Sequence, residues 1–335
     1  MAPKKVEPFS LVGVVWDDAA TDLHGDIQVR TRAEASGRWT DWRDLEAHGD
    51  GPEAPEAPEA GTPGGGPLLG RPLPGGPLSA PLWVGASDGV EVRVLPEAAA
   101  GQGDPDPESG LPEGLRLELV DPGPKPPDTS QGRTAHKGSG KGGRAETAGK
   151  GRAASQPRIV ERQEWGADEN LREKGFSYTD TVKTAFVHHT AMSNAYSCSQ
   201  VPSIIRGIYR YHVKSSKWRD IGYNFLVDKC GTVYEGRAGG VAKPVMGAHT
   251  YGFNSNSTGI AVIGSFDKSP PPEPAVDGVA QVAAWKLGLH GANPLGTTVM
   301  TSGGGTKHKK GTKVTFNAIA GHRDGFVTSC PGAQL

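Results

Sequence analysis

The chain has 335 residues, a formal net charge of −1 at pH 7 and 22% charged residues. This length suffices for two domains, and so balanced a charge creates no global field that would attract nucleic acid or a membrane surface. The 49 glycines and 28 prolines are concentrated in two stretches, which indicates linkers. No apolar run is long enough to cross a membrane, and none near the N terminus is long enough for a secretion leader.

Residues 1–121 contain short segments in which apolar and polar residues alternate. Apolar side chains recur at every second position in 27–31, 90–94 and 115–119, with turn-forming residues nearby. Helical periodicity is absent, so the pattern predicts an all-β, sandwich-like domain. Its middle, 51–81, is rich in Pro, Gly, Ala and Glu and is expected to form a disordered insertion, because it cannot contribute to a core.

Four tryptophans, Trp16, Trp39, Trp42 and Trp83, fall in this first region. Their flat rings could form a face that stacks on sugars, or they could fill the core of a domain with few strands. Filling the core is the commoner role of such residues. The sequence leaves both interpretations open.

Residues 122–157 form a second stretch of low complexity, rich in Gly, Lys, Arg and Ser. Between Gly123 and Arg158 it has eight Lys or Arg against two acidic residues. We expect a flexible basic tether between two domains. Its charge could also attract an anionic polymer of the cell wall.

From residue 158 to 335 the pattern changes to α/β. Two segments have helical spacing, and four have the pattern of buried strands or a hairpin. The helices are predicted at 200–214 and 276–290, and the strands at 184–188, 223–235 (a hairpin), 259–266 and 314–319. A mixed central β-sheet flanked by helices is the economical way to bury these elements.

The three cysteines are Cys198, Cys230 and Cys330. The first two flank a predicted helix and strand and could form one disulfide, which would favour an exported protein. Cys330 would then stay free as a thiolate. Three unrelated buried thiols are the alternative.

Two histidines and one cysteine suggest a metal site. His188 ends the predicted strand Phe186-Val187-His188, and His322 lies eight positions before Cys330, which Pro331 follows. Two imidazoles and one thiolate suit zinc, and three protein ligands leave the fourth tetrahedral position for water. That is the pattern of a catalytic zinc site rather than of a structural one.

Five ordered motifs carry a resemblance to a known family. They are 186–190 (FVHHT), 220–227 (DIGYNFLV), 233–237 (VYEGR), 247–250 (GAHT) and 321–324 (GHRD). The region from Ile159 onward is similar to peptidoglycan recognition proteins and to the zinc-dependent N-acetylmuramoyl-L-alanine amidases that share their domain. The N-terminal region resembles, more loosely, the companion domain of actinobacterial members.

The resemblance implies a role for particular residues. His188, His322 and Cys330 match the zinc ligands, Tyr223 matches the catalytic tyrosine, and Cys198 with Cys230 matches a disulfide of related chains. His189, His212, Arg237 and His249 match positions that line the glycopeptide groove. For His249, a purely structural role is an equal alternative.

Two departures from the family pattern concern the C-terminal end. Phage lysozyme-type amidases have a lysine two positions before the cysteine ligand, where this chain has Thr328, as amidases of the recognition-protein branch do. Thr328 is therefore a second candidate catalytic residue, with a hydroxyl in place of an ammonium. The resemblance also implies a domain shortened at its C terminus, because related chains continue into a closing helix.

The sequence therefore predicts an exported, wall-associated zinc amidase that cuts peptidoglycan between N-acetylmuramic acid and L-alanine. A non-catalytic module that binds muropeptides is the alternative, although silent members of the family usually lack the cysteine ligand. A wall component with a structural metal would need a fourth protein ligand, and none is evident. We expect a monomer that binds no nucleic acid.

Overall fold

The structure, a computed structural model, describes residues 4–17, 26–45, 79–95, 112–124, 154–305 and 307–335. Most of the predicted insertion (51–78) and of the predicted tether (125–153) therefore lies outside the described residues. The last residues of the insertion are described. Ser79 is fully buried there, and its hydroxyl accepts a hydrogen bond from the backbone N–H of Val14.

The N-terminal region contains one antiparallel sheet of five strands, β1 (Lys4–Val15), β2 (Asp26–Ala33), β3 (Arg43–Leu45), β4 (Leu82–Leu95) and β5 (Arg116–Val120). Their order is β3-β2-β4-β1-β5, and every pair is antiparallel. The inward residues Ile27, Val29 and Thr31 of β2 are buried at alternate positions, as the sequence predicts. The all-β prediction is confirmed.

The four tryptophans divide into two pairs. Trp16 and Trp83 are 3% and 8% exposed and belong to the core, which is the commoner of the two roles weighed from the sequence. Trp42 lies between two guanidinium groups, with Arg93 4.3 Å and Arg30 5.0 Å from its ring centroid. Arg30 also lies 5.4 Å from the ring centroid of Trp39. Cation–π stacking thus covers the outer pair.

The C-terminal region is built on a mixed sheet of six strands, β6 (Ile159–Val160), β7 (Thr184–His189), β8 (Phe225–Val227), β9 (Val233–Glu235), β10 (Ser257–Val262) and β13 (Ile319–Gly321). The order is β13-β7-β10-β8-β9-β6. Four neighbouring pairs are parallel and β8–β9 is the antiparallel hairpin that the sequence predicts.

Helices cover both faces of this central sheet. They are α1 (Arg162–Trp165), α2 (Val201–Arg210), α3 (Glu273–Leu289) and α4 (His322–Gly325), with a 3-10 turn at Cys198–Gln200 before α2 and a π turn at Tyr211–Ser215 after it. The residues of β7 divide between the faces, with Ala185 and Val187 packing under α3 and Phe186 pointing the other way. The predicted mixed sheet flanked by helices is confirmed.

The predicted strand at 314–319 is two strands in different sheets. β11 (Thr297–Thr301) and β12 (Lys313–Asn317) form a separate antiparallel hairpin, while β13 joins the central sheet. The change happens at Ala318, whose N–H donates to Gly296 and whose carbonyl accepts from Ala185. At this residue the chain passes from the hydrogen-bond ladder of the β11–β12 hairpin to that of the central sheet.

Cys330 is buried, and the disulfide between Cys198 and Cys230 is present. It ties the turn before α2 to the β8–β9 hairpin. Within the described ranges, none of the helices combines the length and the apolar character that crossing a bilayer requires.

Candidate metal centre

The register of the central sheet brings His188 and His322 together. β13 runs parallel to β7 with Ala320 opposite Phe186 and Gly321 opposite Val187, so His322 follows β13 at the level of His188. Adjacent strands lie about 4.8 Å apart, and the two imidazole centroids are 4.4 Å apart. Both rings lie at the carboxyl ends of parallel strands, where α/β proteins place their binding sites.

Cys330 completes this group through a short loop. After α4 the chain returns, and the N–H of Arg323 donates to the carbonyl of Cys330 at 2.9 Å. The sulfur then lies 3.8 Å from Nδ1 of His188 and accepts the N–H of His189 at 3.3 Å. One donor atom from each of His188, His322 and Cys330 lies within 4.8 Å of the others, and all three residues are buried. We call these three residues the His-His-Cys cluster.

Burial keeps the imidazole of His188 in the form that a metal needs. Its pKa is held well below the ordinary value first by burial, then by the neighbouring His322, His249 and His189. A neutral imidazole is the ligand form, whereas a protonated one repels a cation. Two nitrogens and one sulfur within a few ångströms, all shielded from bulk water, therefore fit a zinc ion.

The second nitrogen of His188 faces a hydroxyl. Nδ1 points to the sulfur, and Nε2 lies 3.5 Å from Oγ1 of Thr250. Ligating histidines commonly use their second nitrogen in this way, which fixes the ring orientation. Thr250 itself is fully buried, and its N–H donates to Oδ1 of Asn254 at 2.9 Å.

Tyr223 and His212 lie next to the cluster. The ring centroid of Tyr223 is 5.4 Å from that of His188 and 5.8 Å from that of His212. Nδ1 of His212 accepts the N–H of Gly222 at 3.1 Å, and the ring centroids of His212 and Trp218 are 4.5 Å apart. Burial, followed by the charge of Arg237, lowers the pKa of His212 to about 3, so this imidazole is neutral.

His249 and Arg237 border the same region. The imidazole of His249 lies edge-on to His188 with 5.3 Å between centroids, and Nδ1 is 3.0 Å from Oγ1 of Thr250. Burial is the main cause that holds its pKa well below the ordinary value, with smaller contributions from His322 and Arg237. The guanidinium of Arg237 donates to the carbonyl of Ile221 at 2.8 Å, which fixes the backbone just before Gly222.

His189 is the expected groove residue that does not join this group. Side chains alternate along β7, so its ring lies on the α3 face of the sheet. There Nδ1 accepts the N–H of Phe266 at 3.4 Å. Its backbone reaches the cluster, through the hydrogen bond to the sulfur of Cys330.

Thr328 lies in the loop before the sulfur. Its Oγ1 accepts the N–H of Cys330 at 3.2 Å, so the hydroxyl holds the cysteine backbone. A hydroxyl that accepts one hydrogen bond keeps its own hydrogen for donation.

Three supporting residues were not assigned a role from the sequence. Thr250 faces His188, Trp218 packs on His212, and Asn224 ties two segments together by accepting the N–H of Gly259 and donating to the carbonyl of Val245. Thr250 and Asn224 belong to two of the five family motifs, 247–250 and 220–227. The motif alone does not tell which of its members supports a neighbour.

Residues 178–333 match the family described as N-acetylmuramoyl-L-alanine amidase. Peptidoglycan-recognition protein SC2 of Drosophila simulans is 32% identical over 177 residues, which are 53% of this chain and 82% of that protein. This chain belongs to the peptidoglycan recognition protein and type 2 amidase family. The resemblance stated from the sequence motifs is thereby confirmed.

Other relatives cover different shares of the family domain. Peptidoglycan recognition protein 3 of Homo sapiens is 36% identical over 121 residues, which are 36% of this chain and 33% of that protein. The structure of wild-type Drosophila PGRP-LB is 26% identical and covers 53% of this chain and 89% of its own, with a TM-score of 0.42. Residues 2–112 match a separate family, described as Rv3811 N-terminal galactose-binding domain-like.

Proposed function

We propose that this member of the family is a zinc-dependent hydrolase that cleaves the amide between N-acetylmuramic acid and L-alanine of peptidoglycan. The observation that carries the proposal is the convergence of His188, His322 and Cys330, whose donor atoms lie within 4.8 Å of one another. Three protein ligands leave one position of a tetrahedral zinc ion open. A zinc ion held by these three residues would act as a Lewis acid, lowering the pKa of a bound water and polarising a carbonyl.

Tyr223 and Thr328 are the proposed hydrogen-bond donors. Tyr223 packs against His188, with 5.4 Å between ring centroids, so its ring is fixed beside the cluster. We assign its hydroxyl to the carbonyl oxygen on which negative charge develops during attack on the amide. A donor already in place at such an oxygen contributes about 3 kcal/mol in other enzymes. Thr328, next to the sulfur loop, is proposed as a second and weaker donor.

Three further residues are proposed to form the wall of the substrate groove. His212 and His249 are neutral because burial lowers both pKa values, so they offer hydrogen bonds without repelling the metal. Arg237 brings a positive charge near both imidazoles and suits the carboxylates of a stem peptide. Its bond to Ile221 also holds the segment that leads into Tyr223.

The alternative is a recognition protein that binds peptidoglycan without cutting it. The relatives reported above are named as recognition proteins, which favours peptidoglycan binding as the broader function. The His-His-Cys cluster favours catalysis in addition, because binding alone does not need a buried cysteine sulfur beside two imidazoles. Both readings share the groove and differ in whether the amide is cut.

We further propose that the protein acts outside the cell, at the wall. The disulfide between Cys198 and Cys230 supports an oxidising location, since reducing compartments keep such pairs as thiols. The basic stretch 125–153, which lies outside the described residues, remains a proposed contact for anionic wall polymers.

The deciding experiment is incubation of the full chain with purified muropeptides, followed by mass spectrometry of the products. Amidase activity releases an intact stem peptide with a free L-alanine amino group and a sugar with a free lactyl carboxylate. Cys330→Ala is the matched control and should release neither product. Unchanged muropeptides, together with saturable binding by calorimetry, would establish the recognition role and reject the hydrolase.

A further inference from the structure

The N-terminal sheet packs directly on α2 rather than standing apart from the central sheet. A single apolar core contains Leu11 and Trp83 of the N-terminal sheet together with Ile204, Ile208 and Tyr211 of the α2 region. All three α2-region residues are fully buried. We call this contact the α2 interface.

Two glycines, one on each side, make the close approach possible. A Cβ on Gly207 of α2 would lie 3.1 Å from Cδ1 of Leu11, and a Cβ on Gly13 of β1 would lie 2.4 Å from the ring of Tyr211. Neither glycine has a left-handed φ that would itself require glycine. Glycine is unfavourable in the middle of a helix, so its presence at Gly207 has a packing reason. Each side therefore presents a gap that receives a bulky side chain from the other.

Polar groups at the α2 interface are also paired across it. The hydroxyl of Tyr211 lies 3.1 Å from the carbonyl oxygen of Ser79 and 3.3 Å from that of Val14, and it donates to this pair of acceptors. Burial raises the pKa of Tyr211, so the hydroxyl keeps its proton. Nearby, Ser215 donates to the carboxylate of Glu118 at 3.1 Å. Without the N-terminal sheet, the ring of Tyr211 would lose these two acceptors and the apolar side chains that cover it.

The same turn of chain reaches the candidate site. Tyr211 and His212 are consecutive residues of the π turn, and their side chains point to different neighbours. Tyr211 enters the N-terminal sheet, while Nδ1 of His212 accepts the N–H of Gly222 and its ring lies 5.8 Å from Tyr223. π turns occur often at functional sites, because they redirect one or two side chains of a helix.

We infer that the N-terminal sheet is a positioning element of the catalytic site. By holding Tyr211, it fixes the π turn, so that His212 keeps Gly222 and Tyr223 in place beside His188. The inference rests on the proposed amidase function and extends it to the N-terminal sheet. Tyr211 is a positioning residue, since it acts through His212.

The test compares two glycine variants of the full chain, Gly13→Ala and Gly89→Ala. Both glycines belong to the N-terminal sheet, but the atoms nearest to a Cβ on Gly89 would be those of Arg32 and Trp39, at 3.2 to 3.3 Å, and not those of α2. Gly13→Ala should lower kcat on soluble muropeptide about tenfold, because small displacements of catalytic groups have effects of that size or larger. Zinc content should stay at the wild-type value, and Gly89→Ala should keep the wild-type kcat.

Hydrogen exchange at the Gly222 amide gives a readout that needs no turnover. Its N–H is bonded to His212, so loss of that bond in Gly13→Ala should speed its exchange, while Gly89→Ala should leave it unchanged. If wild type fails to cut muropeptide, the proposed function falls, and this exchange measurement alone decides the inference. Unchanged kcat and unchanged Gly222 exchange in Gly13→Ala would overturn it.

A double-mutant cycle separates positioning from general stability. Tyr211→Phe removes only the hydroxyl and should lower kcat about threefold in the wild-type background. In a Tyr223→Phe background the same change should have less than a twofold effect, because the group being positioned is already gone. Equal effects in both backgrounds would overturn the inference, as would wild-type kcat in Tyr211→Phe. This variant also decides the matter if Gly13→Ala does not fold.

Discussion

The two faces of the central sheet differ in what they bury. On the α2 face, around the end of β7, the protein buries four imidazoles. The ring centroids of His249 and His322 lie 5.3 and 4.4 Å from that of His188, and the ring of His212 lies 5.8 Å from that of Tyr223. On the α3 face the same sheet buries an apolar layer that includes Val187, Val262 and Leu287. Adjacent residues of one strand thus enter two different chemical environments.

The two faces contribute differently to the free energy of unfolding. Burying an imidazole removes it from water and forces it to stay neutral, which lowers stability unless other contacts compensate. The apolar layer under α3 provides that compensation through burial of hydrocarbon. Changes at the imidazoles should therefore alter metal binding and turnover, and changes in the apolar layer under α3 should alter the free energy of unfolding.

The neighbours His188 and His189 give the sharpest contrast between the faces. His188→Gln should reduce zinc affinity by more than about a hundredfold, because losing a ligand is worse than losing one of its supporting partners. His189→Gln should keep about one zinc per chain, since its ring lies on the α3 face. Metal analysis after dialysis against a weak chelator measures both. Equal zinc loss in the two variants would mean that the faces are not separate.

Tyr223→Phe should lower kcat about a hundredfold while zinc content stays unchanged. The reason is the loss of one hydrogen bond to the developing negative charge, which has an effect of this size in other hydrolases. Timed assays of muropeptide cleavage measure kcat, and metal analysis of the same sample measures the zinc content. A variant with wild-type turnover would remove the hydroxyl from the mechanism.

Leu287→Ala tests the α3 face alone. Leu287 is 0% exposed, so the deletion should lower the free energy of unfolding by about 3 kcal/mol. The matched control is Leu289, two residues further along α3 and 46% exposed. Leu289→Ala should change the free energy of unfolding by less than about 0.5 kcal/mol. Urea unfolding measures both values. A lower kcat per folded molecule in Leu287→Ala would contradict the division of roles.

The buried His212 should make the metal-free protein less stable as the pH falls. Its pKa is about 3 in the folded chain, while the unfolded chain has an ordinary value near 6.5. Below pH 6.5 the unfolded state therefore binds a proton that the folded state does not. Stability due to the neutral imidazole is complete above pH 6.5 and is lost at up to about 1.4 kcal/mol per unit as the pH falls towards 3.

Urea unfolding between pH 5 and 6 provides the measurement for this effect. His212→Gln should reduce the slope of unfolding free energy against pH by about that amount, and the slope that remains would come from other buried histidines. An identical slope in wild type and variant would mean that His212 is already protonated in the fold, or exposed.

The sequence was sufficient for the composition of the cluster but not for its geometry. The strand before His188 and the loop between His322 and Cys330 indicated a shared ion, and the structure brings the three donor atoms together. His189 shows the limit. Two consecutive histidines at a strand end must point to opposite faces, but only the register of β7 against its neighbours tells which of them meets His322.

The fold was predictable where local pattern and tertiary structure agree. The α2 helix, the β8–β9 hairpin and the mixed sheet follow from spacing, whereas the break at Ala318 depends on two separate ladders that spacing does not reveal. The α2 interface was also invisible. Nothing in the sequence distinguishes Gly13 and Gly207 from other glycines of a strand or a helix. Their role depends on the side chains of Tyr211 and Leu11, which pack against them in the folded protein.

The most direct test of the account is X-ray absorption at the zinc edge on the purified full chain. His188, His322 and Cys330 predict one sulfur at about 2.3 Å, two imidazole nitrogens at about 2.0 Å and one further light atom in the fourth position. Cys330→Ser should remove the sulfur signal. A spectrum without sulfur in the wild-type protein, or with two sulfurs, would contradict the metal centre from which the proposed hydrolysis follows.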